Sequence, residues 1–505
     1  MNIMMLLEMA ASGFPERKAV RNGDAELTYG ELFEASRRAA AYAAGTGVER
    51  LALLDVTSLA MPVGLFASGW AGMPFVPLNY RLTGAELDAL LERTAPACLV
   101  TDEERAEALR GRKGIAPITR EKFLRIAAGK GAAAGDTTLG EWPMDGEGIA
   151  VLLFTSGTTG APKAAVLRHK HLVSYILGSV EFGAADENDA ALVSVPPYHI
   201  AGIAAVLSSV YAGRRIVQLS SFSAEAWLDV ARKERVTHAF VVPTMLARIV
   251  DALEGKEDAG LGHLRAVAYG GGKMPLPVIE KAMRLFPTTD FTNAYGLTET
   301  SSTIAVLGPD DHRAAAASTD AAVRRRLVSV GRALPGVEIE VRDEEGRCVA
   351  AGTSGEIHVR GEQVSGEYLG RGSTLGADGW FATHDGGSID GEGYLFIEGR
   401  IDDVIVRGGE NLSPGEIEEV LLEHAAVADC AVVGIADVQW GEAVAAVVVA
   451  KAERPDADDL REWVKARLRS SRVPARIEFW DELPYNETGK LLRRKIREAL
   501  AARPT

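Results

Sequence analysis

The residues best suited to chemistry lie in a nine-residue stretch dense in hydroxyls and glycines, Thr155 to Lys163, which reads TSGTTGAPK. Gly157 and Gly160 tolerate positive φ, so backbone N–H groups beside them can converge on an anion. The stretch differs from the common loop G-x-x-x-x-G-K-[ST], because Ala161-Pro162 offset the lysine. Hydroxyl donors and a cation complete a predicted polyphosphate site: Ser156, Thr158, Thr159 and Lys163.

This string resembles the phosphate loop of the adenylate-forming enzymes, which include acyl-CoA synthetases, adenylation domains of peptide synthetases and beetle luciferases. Further segments that resemble this family follow in order across about residues 150–493. They are Tyr269–Gly272 (YGGG), Asn293–Glu299 (NAYGLTE), Thr383–Asp385 (THD), Gly399-Arg400, Val406–Asn411 (VRGGEN) and Pro484–Lys490 (PYNETGK). The resemblance implies the acyl-CoA synthetase branch, with aryl- or fatty-acid–CoA ligase activity.

The resemblance also assigns an ATP site. Tyr295 offers a flat face for adenine. Thr298 can bond to a phosphate oxygen, and Glu299 can hold Mg²⁺. Asp385 and Arg400 would contact the ribose hydroxyls. The other expected ATP-binding residues are Thr155, Ser156, Gly157, Thr158, Thr159, Gly160, Lys163, Gly271, Gly272, Asn293, Ala294 and Gly296.

Lys490 is the expected catalytic cation, again by resemblance. Several negative charges meet when a carboxylate attacks ATP, so catalysis needs cations and fixed donors around the α-phosphate. Lys490 would neutralise charge on the attacking oxygen, together with Mg²⁺ held through Glu299. Lys163 is expected to bind the leaving polyphosphate. The products would be an acyl-adenylate and pyrophosphate, with the acyl group passing next to a thiol.

The resemblance places a hinge at Asp402, about which a small domain would rotate after adenylation. Gly408 and Gly409 would then line the passage for the thiol, which the R-G-G-E-N string predicts to be coenzyme A. Arg81 resembles an arginine that some aryl-CoA ligases use on the nucleotide phosphate. Alternative acceptors are a carrier-protein phosphopantetheine or a small amine. A non-catalytic nucleotide- or acyl-binding homologue is the alternative from another class.

Three positions depart from the family pattern. Ser470–Pro474 (SSRVP) replaces a frequent Y-K-x-P, which would remove a contact to coenzyme A. Ala164 replaces the glycine that follows the Pro-Lys pair. His384 replaces the glycine of T-G-D. If that glycine is needed for positive φ, His384 is strained, although histidine tolerates this conformation better than β-branched residues do.

The expected acid pocket contains Tyr198 and His199, where peptide-synthetase adenylation domains keep an Asp for the substrate ammonium. This difference disfavours an α-amino acid. His199 is either a hydrogen-bonded core histidine or a catalytic gate at the carboxylate end of the pocket. The lining is apolar with small residues, so an aryl or medium-chain aliphatic monocarboxylate is expected: Tyr198, His199, Gly202, Phe240, Val242, Pro243, Gly270, Gly271, Ala294, Gly296 and Ser302.

Length, net charge and cysteine content limit the classes of protein to which the chain can belong. A chain of 505 residues predicts at least two domains. The formal charge of -15 argues against broad nucleic-acid binding. Three scattered cysteines, and an N-terminus with no basic residue before its apolar run, indicate a cytoplasmic protein without a signal peptide. No run reaches the ~18 apolar residues of a membrane span. A homodimer is possible.

Sequence patterns indicate an α/β protein. Short apolar runs such as Leu51–Leu54 alternate with helical stretches, and Thr28 with Glu31 forms a capping-box signal. We therefore predict a large N-terminal domain of helix-covered sheets over 1–400, including a β-rich subdomain from Ser329 to Ile397. A hinge at 401–403 would join it to a small α+β C-terminal domain over 404–505.

Overall fold

A computed structural model of the chain describes residues 1–130, 139–155, 163–408, 410–486 and 491–502. Within these residues, two large mixed sheets form the body of the N-terminal domain. The nine-stranded sheet has the spatial order Arg332–Ala333, Ser302–Leu307, Asp290–Leu297, Ala266–Gly270, His238–Val241, Ala190–Val193, Arg215–Gln218, Lys18–Asn22 and Ala25–Thr28. The eight-stranded sheet has the order Gly372–Ser373, Glu367–Tyr368, Lys163–Arg168, Ile149–Thr155, Phe75–Pro77, Arg50–Leu54, Ala97–Thr101 and Ile115–Thr119.

Central strands of both sheets pair in parallel, and antiparallel strands lie toward one or both edges. Parallel strands covered on both faces read as continuous apolar runs, as in Ala97–Thr101, whose residues are all buried. The covering helices are Met4–Gly13, Tyr29–Gly45, Ala60–Ala71, Gly84–Thr94, Glu103–Ala108, Arg120–Ala127, His169–Ser179, Ile200–Ala212, Ala224–Lys233, Pro243–Ala252 and Leu276–Leu285, followed by Pro309–Ala317 and Ala321–Arg325.

The β-rich subdomain is an antiparallel four-stranded sheet in the order Val337–Arg342, Gly355–Gly361, Phe381–Ile389 and Leu395–Arg400. It follows the nine-stranded sheet in the chain and packs on it through Ile304 and Ala305. Its last strand ends at Arg400, directly before the short 3-10 turn Ile401–Asp403. The subdomain therefore connects the nine-stranded sheet to the expected hinge at Asp402.

The small domain has its own core, in which Ile405, Ile417, Val444, Ala446 and Val448 are almost fully buried. Its strands are Glu410–Leu412, Ile405–Arg407, Gly441–Ala450 and Val427–Asp437, with Arg476–Phe479 added in parallel to Gly441–Ala450. Its helices are Pro414–Leu422, Ala457–Lys465 and Arg493–Ala501.

The predicted fold class is confirmed, and several element predictions hold closely. The helix at Tyr29–Gly45 begins with the expected capping box, in which Glu31 N donates to Thr28 Oγ1 at 3.2 Å. The alanine- and arginine-rich segment 313–326 is helical in two short pieces. No helix among the described residues combines the length and apolar character needed to cross a bilayer.

Candidate active site

One end of the candidate site is a hydrogen-bonded cluster of the buried Asp385 and the half-buried Tyr295 and Arg400. Asp385 and Arg400 lie opposite each other on antiparallel strands. Arg400 Nη1 donates to Asp385 Oδ1 at 3.0 Å, and Tyr295 Oη donates to Asp385 Oδ2 at 2.6 Å. Both carboxylate oxygens therefore have protein partners. The sequence suggested each residue separately, but it gave no sign that they bond to one another.

The charges in this cluster keep Tyr295 a hydrogen-bond donor. Burial and the neighbouring Asp385 carboxylate raise the pKa of the Tyr295 phenol well above its usual range. Arg400 Nε is buried without a hydrogen-bond partner among the described residues. A buried donor of this kind is costly unless a ligand meets it, so the cluster suits a hydroxyl-rich group such as ribose.

The neighbouring His384 has φ 58°, the left-handed conformation in which a glycine would be relaxed. The condition under which strain was expected at His384, a positive φ, is therefore met. His384 Nδ1 lies 3.1 Å from Glu356 Oε1 on the adjacent strand, and the imidazole is largely exposed. The imidazole of His384 is thus engaged with Glu356, and the described residues show no hydrogen bond between it and Asp385.

Asn293 and Ala294 lie on the strand that carries Tyr295. The Asn293 amide is buried and donates to the Ser329 carbonyl at 2.9 Å. Its side chain therefore ties the strand to the segment at Ser329. Ala294 pairs with Gly270 on the next strand.

Three glycines lie where main chains nearly touch. A Cβ at Gly270 would overlap the carbonyl oxygen of Ala294, and one at Gly296 would overlap that of Ser302. A Cβ at Gly202 would lie 3.0 Å from the carbonyl oxygen of Pro196. These glycines are required by close backbone approach, which the sequence could not show. Gly271 has φ 81°, and the exposed Gly272 follows it in the same turn.

Glu299 lies in the 3-10 turn Thr298–Thr300, directly after the strand of Tyr295. Its Oε1 accepts a hydrogen bond of 2.5 Å from Tyr368 Oη. It forms no ion pair with any described residue, and no described group of three or more His, Cys, Asp or Glu could enclose a metal. An unpaired carboxylate fits Mg²⁺, which commonly uses one or two carboxylates together with substrate phosphates.

The predicted phosphate loop joins two antiparallel strands. Thr155 ends one strand and pairs with Lys163, which begins the next. Ser156, Gly157, Thr158, Thr159 and Gly160 lie outside the described residues. Lys163 Nζ lies 5.5 Å from the centroid of the Tyr368 ring. The loop's two ends are therefore adjacent to the segment that holds Glu299.

At the acid end, His199 precedes the helix Ile200–Ala212, and its ring lies 4.6 Å from that of Tyr198. Tyr198 in turn packs edge-on against Tyr80. Burial lowers the pKa of His199 to about 4, and its Nε2 has no hydrogen-bond partner among the described residues. His199 is thus neutral at physiological pH and is not a fully satisfied core histidine.

Phe240, Ser302 and Arg81 are the remaining candidates of the large domain. Phe240 is half-buried on the strand His238–Val241, and Ser302 has the unusual φ of 115°. The Arg81 guanidinium lies 5.7 Å from the Tyr80 ring centroid. Because Tyr80 packs on Tyr198, Arg81 lies beside the wall of the acid end.

On the small domain, Gly408 has φ 60°, and its N–H donates to the Trp440 carbonyl at 2.8 Å. Arg407 reaches the Ser471 carbonyl at 2.9 Å, so the substituted segment 470–474 lies beside this loop. Gly409 and Lys490 lie outside the described residues. Leu491, next to Lys490, forms a bridge with Tyr485 at the surface of the small domain.

The large domain holds the Tyr295–Asp385–Arg400 cluster, the Glu299 carboxylate and the Tyr198–His199 pair, and the small domain has a core of its own. Family models identify the class of protein to which this arrangement belongs. Residues 7–369 match the family described as AMP-binding enzyme, and residues 416–490 match its C-terminal domain.

Known relatives and solved structures of similar proteins agree with this family match. The chain is 35% identical to a feruloyl-CoA synthase of Amycolatopsis sp, over 96% of both chains. It is 34% identical to a fatty acid–[acyl-carrier-protein] ligase of Streptomyces coeruleorubidus, over 96% of this chain and 93% of that one. O-succinylbenzoate coenzyme A synthetase of Bacillus subtilis, solved with ATP and magnesium ion, superposes with a TM-score of 0.84 at 30% identity, covering 97% and 98%. The chain therefore belongs to the AMP-binding enzyme family, as an AMP-forming acid–CoA ligase.

Proposed function

We propose that this ligase activates an aryl or medium-chain aliphatic monocarboxylic acid and transfers it to coenzyme A. The acid's carboxylate oxygen attacks the α-phosphorus of ATP, the bond to the β-phosphate oxygen breaks, and pyrophosphate leaves. The thiol of coenzyme A then attacks the acyl carbonyl, the bond to the phosphate oxygen breaks, and AMP leaves. The thiol proton passes to solvent. Mg²⁺ supplies charge neutralisation at the phosphates.

The observation that carries this proposal is the Tyr295–Asp385–Arg400 cluster with its unpartnered buried donor. Asp385 and Arg400 would hold the ribose hydroxyls, and the Tyr295 ring would lie against adenine. Thr298, Lys163 and the loop from Thr155 to Gly160 would bind phosphate oxygens, and Glu299 would hold Mg²⁺. Gly271, Gly272, Asn293, Ala294 and Gly296 would shape the nucleotide pocket through their backbones. Lys490 would stabilise the charge that develops at the α-phosphate.

We propose Asp402 as the hinge between domains at 1–400 and 404–505. Residues before and after Asp402 bond to different domains. Arg400 bonds to Asp385 of the large domain, whereas Asp403 pairs with Arg497 at 2.8 Å and with Arg493 at 3.6 Å in the small domain. Rotation would therefore concentrate in the backbone around Asp402. It would exchange Lys490 for the Gly408–Gly409 loop at the acyl group.

The absence of charge on the proposed lining residues supports a monocarboxylate as the acid. Tyr198, His199, Gly202, Phe240, Gly270 and Ser302 would form the pocket, and each is uncharged at neutral pH. His199 meets this condition because its pKa is lowered to about 4. A second carboxylate on the acid would find no cation among these six side chains, and its desolvation would be costly.

The test is pyrophosphate release over a panel of benzoates, cinnamates, medium-chain fatty acids, dicarboxylates and amino acids, with ATP and Mg²⁺. We expect release with at least one aryl or medium-chain acid and formation of the free CoA ester when coenzyme A is added. Preference for a dicarboxylate or an amino acid would contradict the acid class. No release with any acid would contradict the proposal as a whole.

A carrier-protein phosphopantetheine is the second candidate acceptor. Its support is the similarity to the Streptomyces carrier-protein ligase and the SSRVP segment beside Gly408. Supplying a holo-carrier protein or coenzyme A to the same acyl-adenylate discriminates between them, because only one thiol would be acylated rapidly.

A cytoplasmic location and a homodimer complete the proposal. Light scattering of the purified chain measures its mass in solution.

A further inference from the structure

Glu299 is held at two points by one distant segment of the chain. Its carbonyl oxygen accepts hydrogen bonds from Ser365 N at 2.8 Å and from Gly366 N at 3.2 Å. Its carboxylate Oε1 accepts the 2.5 Å bond from Tyr368 Oη. Backbone and side chain of Glu299 are therefore both fixed by residues 365–368, which lie far away in sequence.

The same segment is attached to the strand that begins at Lys163. Tyr368 pairs with Ala165, and Leu369 N donates to the Ala164 carbonyl at 2.9 Å. Next to Tyr368, Glu367 forms a two-pronged ion pair with Arg168, at 2.8 Å for each bond. Tyr368 is thus joined rigidly to the second arm of the phosphate-loop hairpin, and its position does not depend on Glu299.

The Tyr368 side chain touches both charged groups of the proposed phosphate site. Its hydroxyl bonds to Glu299, and its ring faces the Lys163 ammonium at 5.5 Å. The bond occupies one carboxylate oxygen and orients the other, to which no described residue donates.

We propose that Tyr368 is a positioning residue that aligns the magnesium carboxylate with the phosphate-loop lysine. The hydroxyl fixes the rotamer of Glu299, and the ring holds the Lys163 ammonium at a set distance from it. This inference rests on the proposed roles of Glu299 and Lys163. It adds a residue that does not itself touch the nucleotide, and it separates two functions within one side chain.

Two substitutions separate these functions. Tyr368→Phe keeps the ring and removes the hydroxyl, whereas Tyr368→Leu removes both. The matched control is Tyr394→Phe, because Tyr394 Oη makes a similar bond of 2.7 Å to Asp311 of the same domain. The readouts are Mn²⁺ affinity measured by electron paramagnetic resonance with α,β-methylene-ATP, and affinity for the same analogue in excess chelator.

We expect Tyr368→Phe to weaken Mn²⁺ binding about tenfold, since it removes a hydrogen bond to a charged group. Its metal-free analogue affinity should stay within about twofold of wild type, because the ring still faces Lys163. Tyr368→Leu should show the same metal defect plus about a three-fold loss of metal-free affinity. Tyr394→Phe should match wild type in both measurements.

A purely structural role gives a different pattern. It would lower the melting temperature and weaken both affinities of Tyr368→Phe in parallel, and that result would overturn the proposal. Wild-type Mn²⁺ affinity in Tyr368→Phe would overturn it as well. Combining Tyr368→Phe with Glu299→Gln should add no further metal defect, because the hydroxyl acts through that carboxylate. Failure of the wild type to bind the analogue would instead contradict the proposed function.

Discussion

The Tyr295–Asp385–Arg400 cluster of the large domain, proposed to bind the nucleotide, and the Gly408 face of the small domain are built in opposite ways. Asp385 is only 6% exposed, and protein donors meet both of its carboxylate oxygens. Around Gly408, Val438 is fully exposed and Trp440 is 45% exposed. The first region is held in place by buried polar bonds and leaves Arg400 Nε without a partner among the described residues, whereas the second presents apolar surface that lacks a covering among the described residues. The first half-reaction should therefore depend on single polar bonds, and the second on backbone shape.

Loss of the proposed catalytic cation should have the largest effect. Lys490→Ala should lower ATP–pyrophosphate exchange by about 10²–10³-fold, the usual effect of removing one charge-stabilising donor. Thiol transfer from a supplied acyl-adenylate should change far less. Lys163→Ala is the comparison variant, and we expect a milder effect there, mainly on the KM for ATP. Equal and slight effects of both substitutions on exchange would contradict both assignments.

The ribose cluster should come next. Asp385→Asn keeps the shape of the side chain but removes the charge that Arg400 and Tyr295 meet. We expect the KM for ATP to rise by about 10–100-fold, in line with hydrogen bonds to charged groups. Asp311→Asn is the matched control, because Asp311 accepts a similar bond from Tyr394 outside the site. A normal KM for ATP in Asp385→Asn would show that the cluster serves only the fold.

The Gly408 face should respond to a backbone change. At φ 60° a Cβ on Gly408 would lie 2.7 Å from Trp440 Cε3, so Gly408→Ala must shift the loop or the indole. We expect thioester formation to fall about tenfold while pyrophosphate exchange stays within about twofold. Gly346→Ala is the control, since Gly346 has φ 76° with no atom near its missing Cβ. Equal losses in both half-reactions would contradict the proposal that the Gly408 loop serves thioester formation and not adenylation.

Acid should weaken the large domain through His199. Its folded pKa of about 4 lies below the ordinary 6.5, so its contribution to stability is complete above pH ~6.5 and is lost as pH falls toward about 4. Between pH 7 and 5, His199→Phe should lose roughly 1–2 kcal/mol less unfolding free energy than wild type. Urea unfolding at both pH values measures this difference. An identical pH dependence in the two proteins would show that His199 is not buried as described.

The smallest effect is expected at His384. His384→Gly relieves the positive φ but loses the contact between the His384 imidazole and the Glu356 carboxylate, a partly exposed contact of the kind worth about 0–1 kcal/mol. The two changes should nearly cancel, so the melting temperature and the KM for ATP should stay close to wild type. A large rise in the KM for ATP would show that the imidazole acts directly on ATP binding and would contradict this prediction.

Local patterns in the sequence predicted much of this molecule. The capping box at Thr28 and the apolar run Leu51–Leu54, which lies in the strand Arg50–Leu54, depend on neighbours within a few positions. The replaced glycine also marked His384 as a position where a positive φ would cause strain.

Contacts between distant segments were not predictable in the same way. Tyr368 lies 69 residues from Glu299, in a short Gly-Glu-Tyr segment with no distinctive pattern. Likewise, nothing in the sequence showed that Asn293 uses its amide to bond Ser329 or that Tyr295 bonds to Asp385. Such pairs depend on sheet register, and a single sequence shows which residues face each other only where the motif is local.

The close approach of main chains at Gly270 and Gly296 has a consequence for altering which acids the enzyme accepts. Where peptide units touch, no side chain can be introduced or trimmed, so this part of the proposed acid pocket has a fixed depth. Diversity must come from the other proposed lining residues, among which Tyr198, His199 and Phe240 contribute side chains that can be exchanged. A library confined to those three positions would sample new acids while keeping the backbone at Gly270 and Gly296 unchanged.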